Sequence, residues 1–97
     1  MFNIDRRNNI TLNAGDTGII NFNLCGCDDK LKDGDIVTFH NGDGQEVTVN
    51  TFVNGVARIA IPEKKGAFNG KYCIRVQMKD GRRSTVIEAN YERRNDC

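Results

Sequence analysis

Six of the ten glycines in this chain directly follow an asparagine or an aspartate. Asn-Gly and Asp-Gly dipeptides supply the positive φ angles that tight hairpin turns need. Between them lie short runs in which apolar and polar residues alternate, as in strands with one buried face. The chain is therefore predicted to form a series of β-hairpins. The dipeptides are Asp33-Gly34, Asn41-Gly42, Asp43-Gly44, Asn54-Gly55, Asn69-Gly70 and Asp80-Gly81.

The alternation predicts about seven short strands and no long helix. Such a set of strands is typical of an antiparallel sandwich or a small barrel, and large inward residues favour the antiparallel β-sandwich. In the last hairpin, alternation also turns Thr85 and Ile87 inward. The predicted strands cover residues 10–13, 17–24, 35–40, 45–53, 56–61, 70–78 and 84–91. The predicted core contains Ile20, Phe22, Val37, Phe39, Ile59, Tyr72, Ile74 and Val76.

The length and the charge of the chain limit the classes of function. With 97 residues, the chain is expected to form one domain, residues 1–97, with its core over about 10–91 and a fraying polar tail over 92–97. The 14 basic and 13 acidic residues are interspersed, which argues against nucleic-acid binding. Neither a signal peptide nor a run of about 20 apolar residues is present, so we expect a soluble protein made in the cytoplasm, without membrane contact.

The four cysteines do not match a usual metal site. Cys25 and Cys27 are closer together than the first ligand pair of a usual zinc knuckle, and no second such pair follows. Reduced thiols are therefore expected at these positions and at Cys73 and Cys97.

The acidic loop at residues 28–35 does not match a calcium site either. Its carboxylates are interrupted by lysines, and the closing glutamate of an ordered calcium loop is missing. We therefore predict neither a metal nor a cofactor.

The catalytic and binding candidates reduce to surface arginines. His40 has no evident nucleophile or acid partner in the sequence, so an enzyme is not expected. Arginine pairs suit carboxylate recognition at protein interfaces, although they can also serve solubility alone. The interface candidates are Arg82, Arg83, Arg93 and Arg94, the first two at a predicted hairpin tip.

Three segments of the chain carry a resemblance to a known family. They are Ile10-Thr11-Leu12 with Gly15-Asp16-Thr17-Gly18, then Gly34-Asp35-Ile36-Val37-Thr38-Phe39, and then the hairpin from Gly70-Lys71-Tyr72 through Asp80-Gly81 to Ser84-Thr85-Val86-Ile87. Together they resemble the N-terminal immunoglobulin-like domain of baseplate upper proteins of phages that infect Gram-positive bacteria. The likeness extends from about Ile10 to Tyr91. The pair Cys25 and Cys27 departs from the family pattern.

The resemblance implies a structural component of a phage or prophage-derived virion, made in the host bacterial cytoplasm. The expected role is a tail or baseplate adaptor that contacts other virion proteins in multiple copies. The alternative within this class is a capsid decoration protein. The alternative of another class is a carbohydrate-binding adhesion module, for which Phe2, Phe52 and Phe68 are the candidate exposed aromatic residues.

Overall fold

A computed structural model describes residues 2–24 and 30–95, and the described chain is all-β, as predicted. Over these residues no helix is long and apolar enough to cross a membrane. The described residues form eight strands, one more than the number predicted, because a two-residue strand precedes the first predicted one. The strands are β1 Asn3–Ile4, β2 Ile10–Asn13, β3 Gly18–Asn23, β4 Ile36–Asn41, β5 Glu46–Val49, β6 Val56–Ile61, β7 Phe68–Gln77 and β8 Arg83–Arg94.

The strands form two sheets, and one of them is mixed. The larger sheet has the order β1-β2-β8-β7-β4-β5, and the smaller one pairs β3 with β6. β2 and β8 run parallel, with Ile10 opposite Tyr91 and Leu12 opposite Arg93. The prediction of a wholly antiparallel arrangement is therefore wrong. Alternation reveals which face of a strand is buried but not the direction of its neighbour, so the sequence pattern gave no signal for this pair.

All eight residues of the predicted core are buried. They come from both sheets and form one cluster. At its centre the Phe39 ring lies 5.4 Å from that of Tyr72 and 6.1 Å from that of Tyr91, centroid to centroid, in tilted arrangements that aromatic pairs favour. Inward alternation over β3, β4, β6 and β7 therefore identified the core correctly.

The β7–β8 hairpin is longer than the other elements and contains a β-bulge. Ile74 faces Ile87, but the next pair is Arg75 and Thr85, so Val86 is an extra residue on β8. A bulge reverses the side-chain alternation beyond it. Thr85 is consequently exposed and lies opposite outward-facing Arg75, against the prediction that it points inward. The hairpin extends along a molecule that measures 44 Å by 21 Å by 21 Å.

One predicted turn is absent from the structure. Asn69 and Gly70 lie inside β7, where Gly70 pairs with Tyr91. A Cβ atom at Gly70 would lie 2.5 Å from the Phe68 ring, so this glycine permits close packing of that ring. Four of the six glycines that follow Asn or Asp do have positive φ angles, as hairpin turns require: Gly34, Gly44, Gly55 and Gly81.

The C-terminal tail is ordered further than predicted. β8 continues to Arg94, because its end pairs with β2 on one side and with β7 at Phe68 on the other. Glu92, Arg93 and Arg94 therefore belong to the sheet rather than to a frayed tail. Cys97, like Cys25 and Cys27, lies outside the described residues.

Candidate functional site

The tip of the β7–β8 hairpin is a short turn that displays two arginines. The Arg82 carbonyl accepts a hydrogen bond from the Met78 amide at 2.7 Å, and Gly81 takes a φ of +96° within the turn. The Asp80 carboxylate accepts from the Arg82 amide at 3.0 Å and from the Arg82 guanidinium at 2.8 Å. The backbone bond, with the guanidinium contributing less, lowers the pKa of Asp80 below its ordinary value. The aspartate thus orients the turn and stays ionised.

Beside this turn lies an open concavity of about 330 Å³, which we call the tip groove. Its lining combines apolar side chains with two exposed arginines, a chemistry suited to an apolar side chain flanked by carboxylates. Leu24, which directly follows β3, closes one side of the groove and brings the smaller sheet to the hairpin. The groove is lined by Leu24, Val76, Met78, Arg82, Arg83, Ser84 and Val86.

A second concavity, of about 300 Å³, shares Met78 and Arg82 with the tip groove. Asp35 fixes its wall, because this buried carboxylate accepts backbone hydrogen bonds from Lys32 and Lys79, each at 2.9 Å. Basic residues outnumber acidic ones around the two concavities. The basic residues that line them are Lys30, Lys32, Lys79, Arg82 and Arg83, and the acidic ones are Asp35 and Asp80.

The structure separates the four candidate interface arginines into two groups. Arg82 and Arg83 lie at the tip, whereas Arg93 and Arg94 lie at the other end of β8, about 35 Å away at the usual rise per residue. The two pairs therefore do not form one surface. Arg94 is exposed and contacts Glu92 at 2.9 Å.

The burial of Arg93 contradicts the prediction that all four arginines are candidate interface residues at the surface. Only 2% of its side chain is exposed, because the inward alternation of Ile87, Ala89 and Tyr91 continues to position 93. A buried guanidinium cannot reach a partner protein, so Arg93 is not an interface residue in this conformation. The sequence signal for the burial of Arg93 is the alternation itself, which gives position 93 the same inward side as Tyr91.

The buried guanidinium of Arg93 instead organises a polar network. Its Nε donates to the Gly66 carbonyl at 2.7 Å, one terminal nitrogen donates to Gln45 Oε1 at 3.3 Å, and the other donates to Asp43 Oδ2. Gln45 Oε1 also accepts from Asn41 Nδ2 at 2.9 Å. Every buried side-chain nitrogen and oxygen in the described chain has a hydrogen-bond partner. The network therefore stabilises the turn at residues 41–45.

Asp43 is the partly exposed member of this network. Its carboxylate is contacted by Arg93 and, at 3.2 Å, by Lys64. The hydrogen bond from Arg93, followed by the weaker one from Lys64, lowers its pKa below the ordinary value.

On the outer face of the larger sheet, His40 lies opposite Cys73, and Cys73 lies opposite Glu88. The sequence does not reveal this row, because its members come from three different strands. The row lines a shallow concavity of about 270 Å³. Within residues 2–24 and 30–95, no group of three or more His, Cys, Asp or Glu side chains is placed to hold a metal ion.

The three candidate aromatic residues for sugar binding are partly buried. Phe2, Phe52 and Phe68 pack against the core. The Phe68 ring lies 6.2 Å from that of Tyr91, and a Cβ atom at Gly18 would overlap the ring of Phe2. Sugar rings stack on exposed aromatic faces, so the prediction that these residues are exposed is wrong.

No protein-family model matches the chain, and neither a curated protein nor a solved structure matches it.

Proposed function

We propose that this chain is a non-enzymatic structural component of a phage or prophage-derived virion, a tail or baseplate adaptor that acts by protein–protein contact. We assign it an immunoglobulin-like sandwich as its finer fold class. Three sequence segments support the proposal: the opening strand and turn at 10–18, the strand at 34–39 and the final hairpin. They fall on β2 and the start of β3, on β4, and on β7 with β8.

The observation that carries the proposal is the exposed tip groove, whose lining combines arginines with apolar side chains. Every aromatic side chain belongs to the core or packs against it, and the tip is the described surface that combines exposed arginines with apolar side chains in one concavity. Arginine beside apolar groups is enriched in protein interfaces, where the planar fork meets a carboxylate. The tip therefore contacts an acidic segment of a neighbouring virion protein.

Contacts of this kind are individually weak, so many copies must act together. An exposed ion pair contributes about 0.2–1 kcal/mol. Repetition around a symmetric particle supplies the avidity that one tip lacks. The free protein is accordingly a monomer or a weakly self-associating species at low concentration.

The experiment compares the incorporation of three forms into purified particles by quantitative mass spectrometry. The wild-type chain is compared with the double variant Arg82→Ala/Arg83→Ala. The matched control is Arg6→Ala/Arg7→Ala, which removes another exposed arginine pair from a turn. We expect a several-fold loss for the tip variant, no loss for the control and unchanged thermal unfolding for both.

Two results would contradict the proposal at different levels. Equal incorporation of all three forms would remove the tip from the interface, and particles that lack the wild-type chain would refute the virion role. If the chain cofractionates with tail-free heads, the capsid decoration alternative replaces the tail adaptor.

A further inference from the structure

We propose that the unpaired edge of β3 binds β3 of a second copy of this chain in antiparallel orientation. The two small sheets then become one four-stranded sheet with the order β6-β3-β3-β6. This inference concerns a different surface from the tip groove, and it does not depend on the virion assignment.

Among the described residues, the smaller sheet leaves one edge of β3 without a strand partner. All six residues of β3 pair with β6, from Gly18 opposite Ile61 to Asn23 opposite Val56. In the described chain β3 pairs with no other strand. Its opposite edge therefore presents a row of backbone N–H and C=O groups with no strand partner, which is a template for strand addition.

The other edges of the two sheets are protected in ways that β3 is not. β1 is only two residues long, and β5 is four residues long and begins with the charged residue Glu46. β6 lies alongside β5, carries Arg58 on its outer face and is followed by Pro62. Short length, charge and proline are the usual means by which proteins prevent pairing at an edge. The sequence of β3, GIINFN, contains neither a charge nor a proline, and its ladder with β6 has no bulge.

The side chains of β3 favour a second copy as the occupant. Its buried residues alternate with the exposed residues Ile19, Asn21 and Asn23, and Ile19 is 44% exposed. In an antiparallel pair centred on Asn21, the two Asn21 amides face each other. An amide carries both donors and acceptors, so two copies satisfy each other, whereas a charged residue at this centre would repel its twin.

The same register continues correctly on both faces of the sheet. Ile19 would lie opposite Asn23 of the second copy on the outer face, and Ile20 would lie opposite Phe22 on the core face. Inward residues remain inward, because this register places core-facing residues of one copy opposite core-facing residues of the other. One strand pair is a small interface, so the dimer is weak and forms at high protein concentration.

The register provides a direct test with two double variants that change the same two residues. In Ile19→Lys/Asn23→Lys, the two lysines of one copy face those of the other. In Ile19→Lys/Asn23→Asp, each lysine faces an aspartate. Sedimentation velocity across protein concentrations up to about 1 mM, where binding of about −4 kcal/mol is still detected, gives the dimerisation constant of each form. Like charges at an interface cost several kcal/mol, so we expect the Lys/Lys variant to dimerise at least tenfold more weakly than the wild type, and the Lys/Asp variant to regain most of the loss.

Amide hydrogen exchange identifies the surface independently of the variants. Alternate amides of β3 should gain protection as wild-type concentration rises, while those of the tip turn should not. A wild type that stays monomeric throughout would overturn the proposal, as would equal weakening of the two variants or dimers that neither variant affects. If the wild type stays monomeric and the Lys/Lys variant loses binding to the particle, the β3 edge binds a different partner. That result would also refute the second-copy proposal.

Discussion

Replacement of Arg93 by alanine should destabilise the domain far more than replacement of its neighbour Arg94. The two residues are adjacent and chemically identical, but 2% of the Arg93 side chain is exposed against 55% for Arg94. Arg93 joins three partners that lie far from it in the sequence, whereas the exposed Arg94 guanidinium contacts Glu92, two residues away on the same strand. The comparison therefore isolates burial and connectivity from charge.

The magnitude for Arg93 follows from what each of its partners loses. The Gly66 carbonyl loses a charged donor, an interaction that contributes about 1.5–3 kcal/mol. Gln45 Oε1 keeps its bond from Asn41, and Asp43 keeps Lys64, so their losses are partial. Loss of packing by the buried stem adds to this, while removal of a desolvated guanidinium offsets part of it. We expect the free energy of unfolding to fall by about 2–4 kcal/mol for Arg93→Ala, and by no more than about 0.5 kcal/mol for Arg94→Ala.

Urea denaturation followed by circular dichroism measures both variants. The midpoint should move while the slope with denaturant stays constant, which shows that stability changed rather than the unfolded ensemble. At about 4–8 °C per kcal/mol for a domain of this size, Tm should fall by at least about 8 °C for Arg93→Ala. Arg93→Met keeps most of the apolar stem and removes the charge with its hydrogen bonds, so it should lie between the other two variants. Equal destabilisation by Arg93→Ala and Arg94→Ala would refute the reasoning.

Two further predictions concern Tyr72 and the bulge. Burial, reinforced by the charge of Asp5, raises the pKa of Tyr72 from 10.0 to about 12. Between these pH values the folded protein retains a proton that the unfolded chain releases. The free energy of unfolding should therefore fall as the pH rises from about 10 to 12. Urea midpoints at several alkaline pH values should decline more steeply for the wild type than for Tyr72→Phe, and parallel declines would exclude this origin. Deletion of Val86 should leave an unbroken ladder with the flanking pairs unchanged, and amide exchange should show continuous protection through β8; loss of folding, with Val86→Ala stable, would contradict this register.

The sequence pattern predicted local features better than long-range ones. Alternation in β3, β4, β6 and β7 identified the buried face correctly, because the apolar residues within a single strand are enough to show which face is buried. The parallel contact of Ile10 with Tyr91 joins residues 81 positions apart, and no turn between them signals it. The same limit applies to the row from His40 to Glu88. At the site, alternation and turn chemistry predicted a tip at Arg82 and Arg83, but not the contribution of Leu24, which follows β3 and lies far from the hairpin in the sequence.

The bulge at Val86 explains why β8 can bury one arginine and display another. If β8 alternated regularly through Val86, Arg83 would share the inward parity of Ile87, Ala89, Tyr91 and Arg93. The bulge reverses the alternation, and Arg83 lies opposite Gln77 on the outer side. Val86 itself lines the tip groove. With its alternation broken at the bulge, the strand contributes to the core at one end and to an exposed basic surface at the other. The structural and the proposed binding roles of the arginines on this strand can therefore be altered independently.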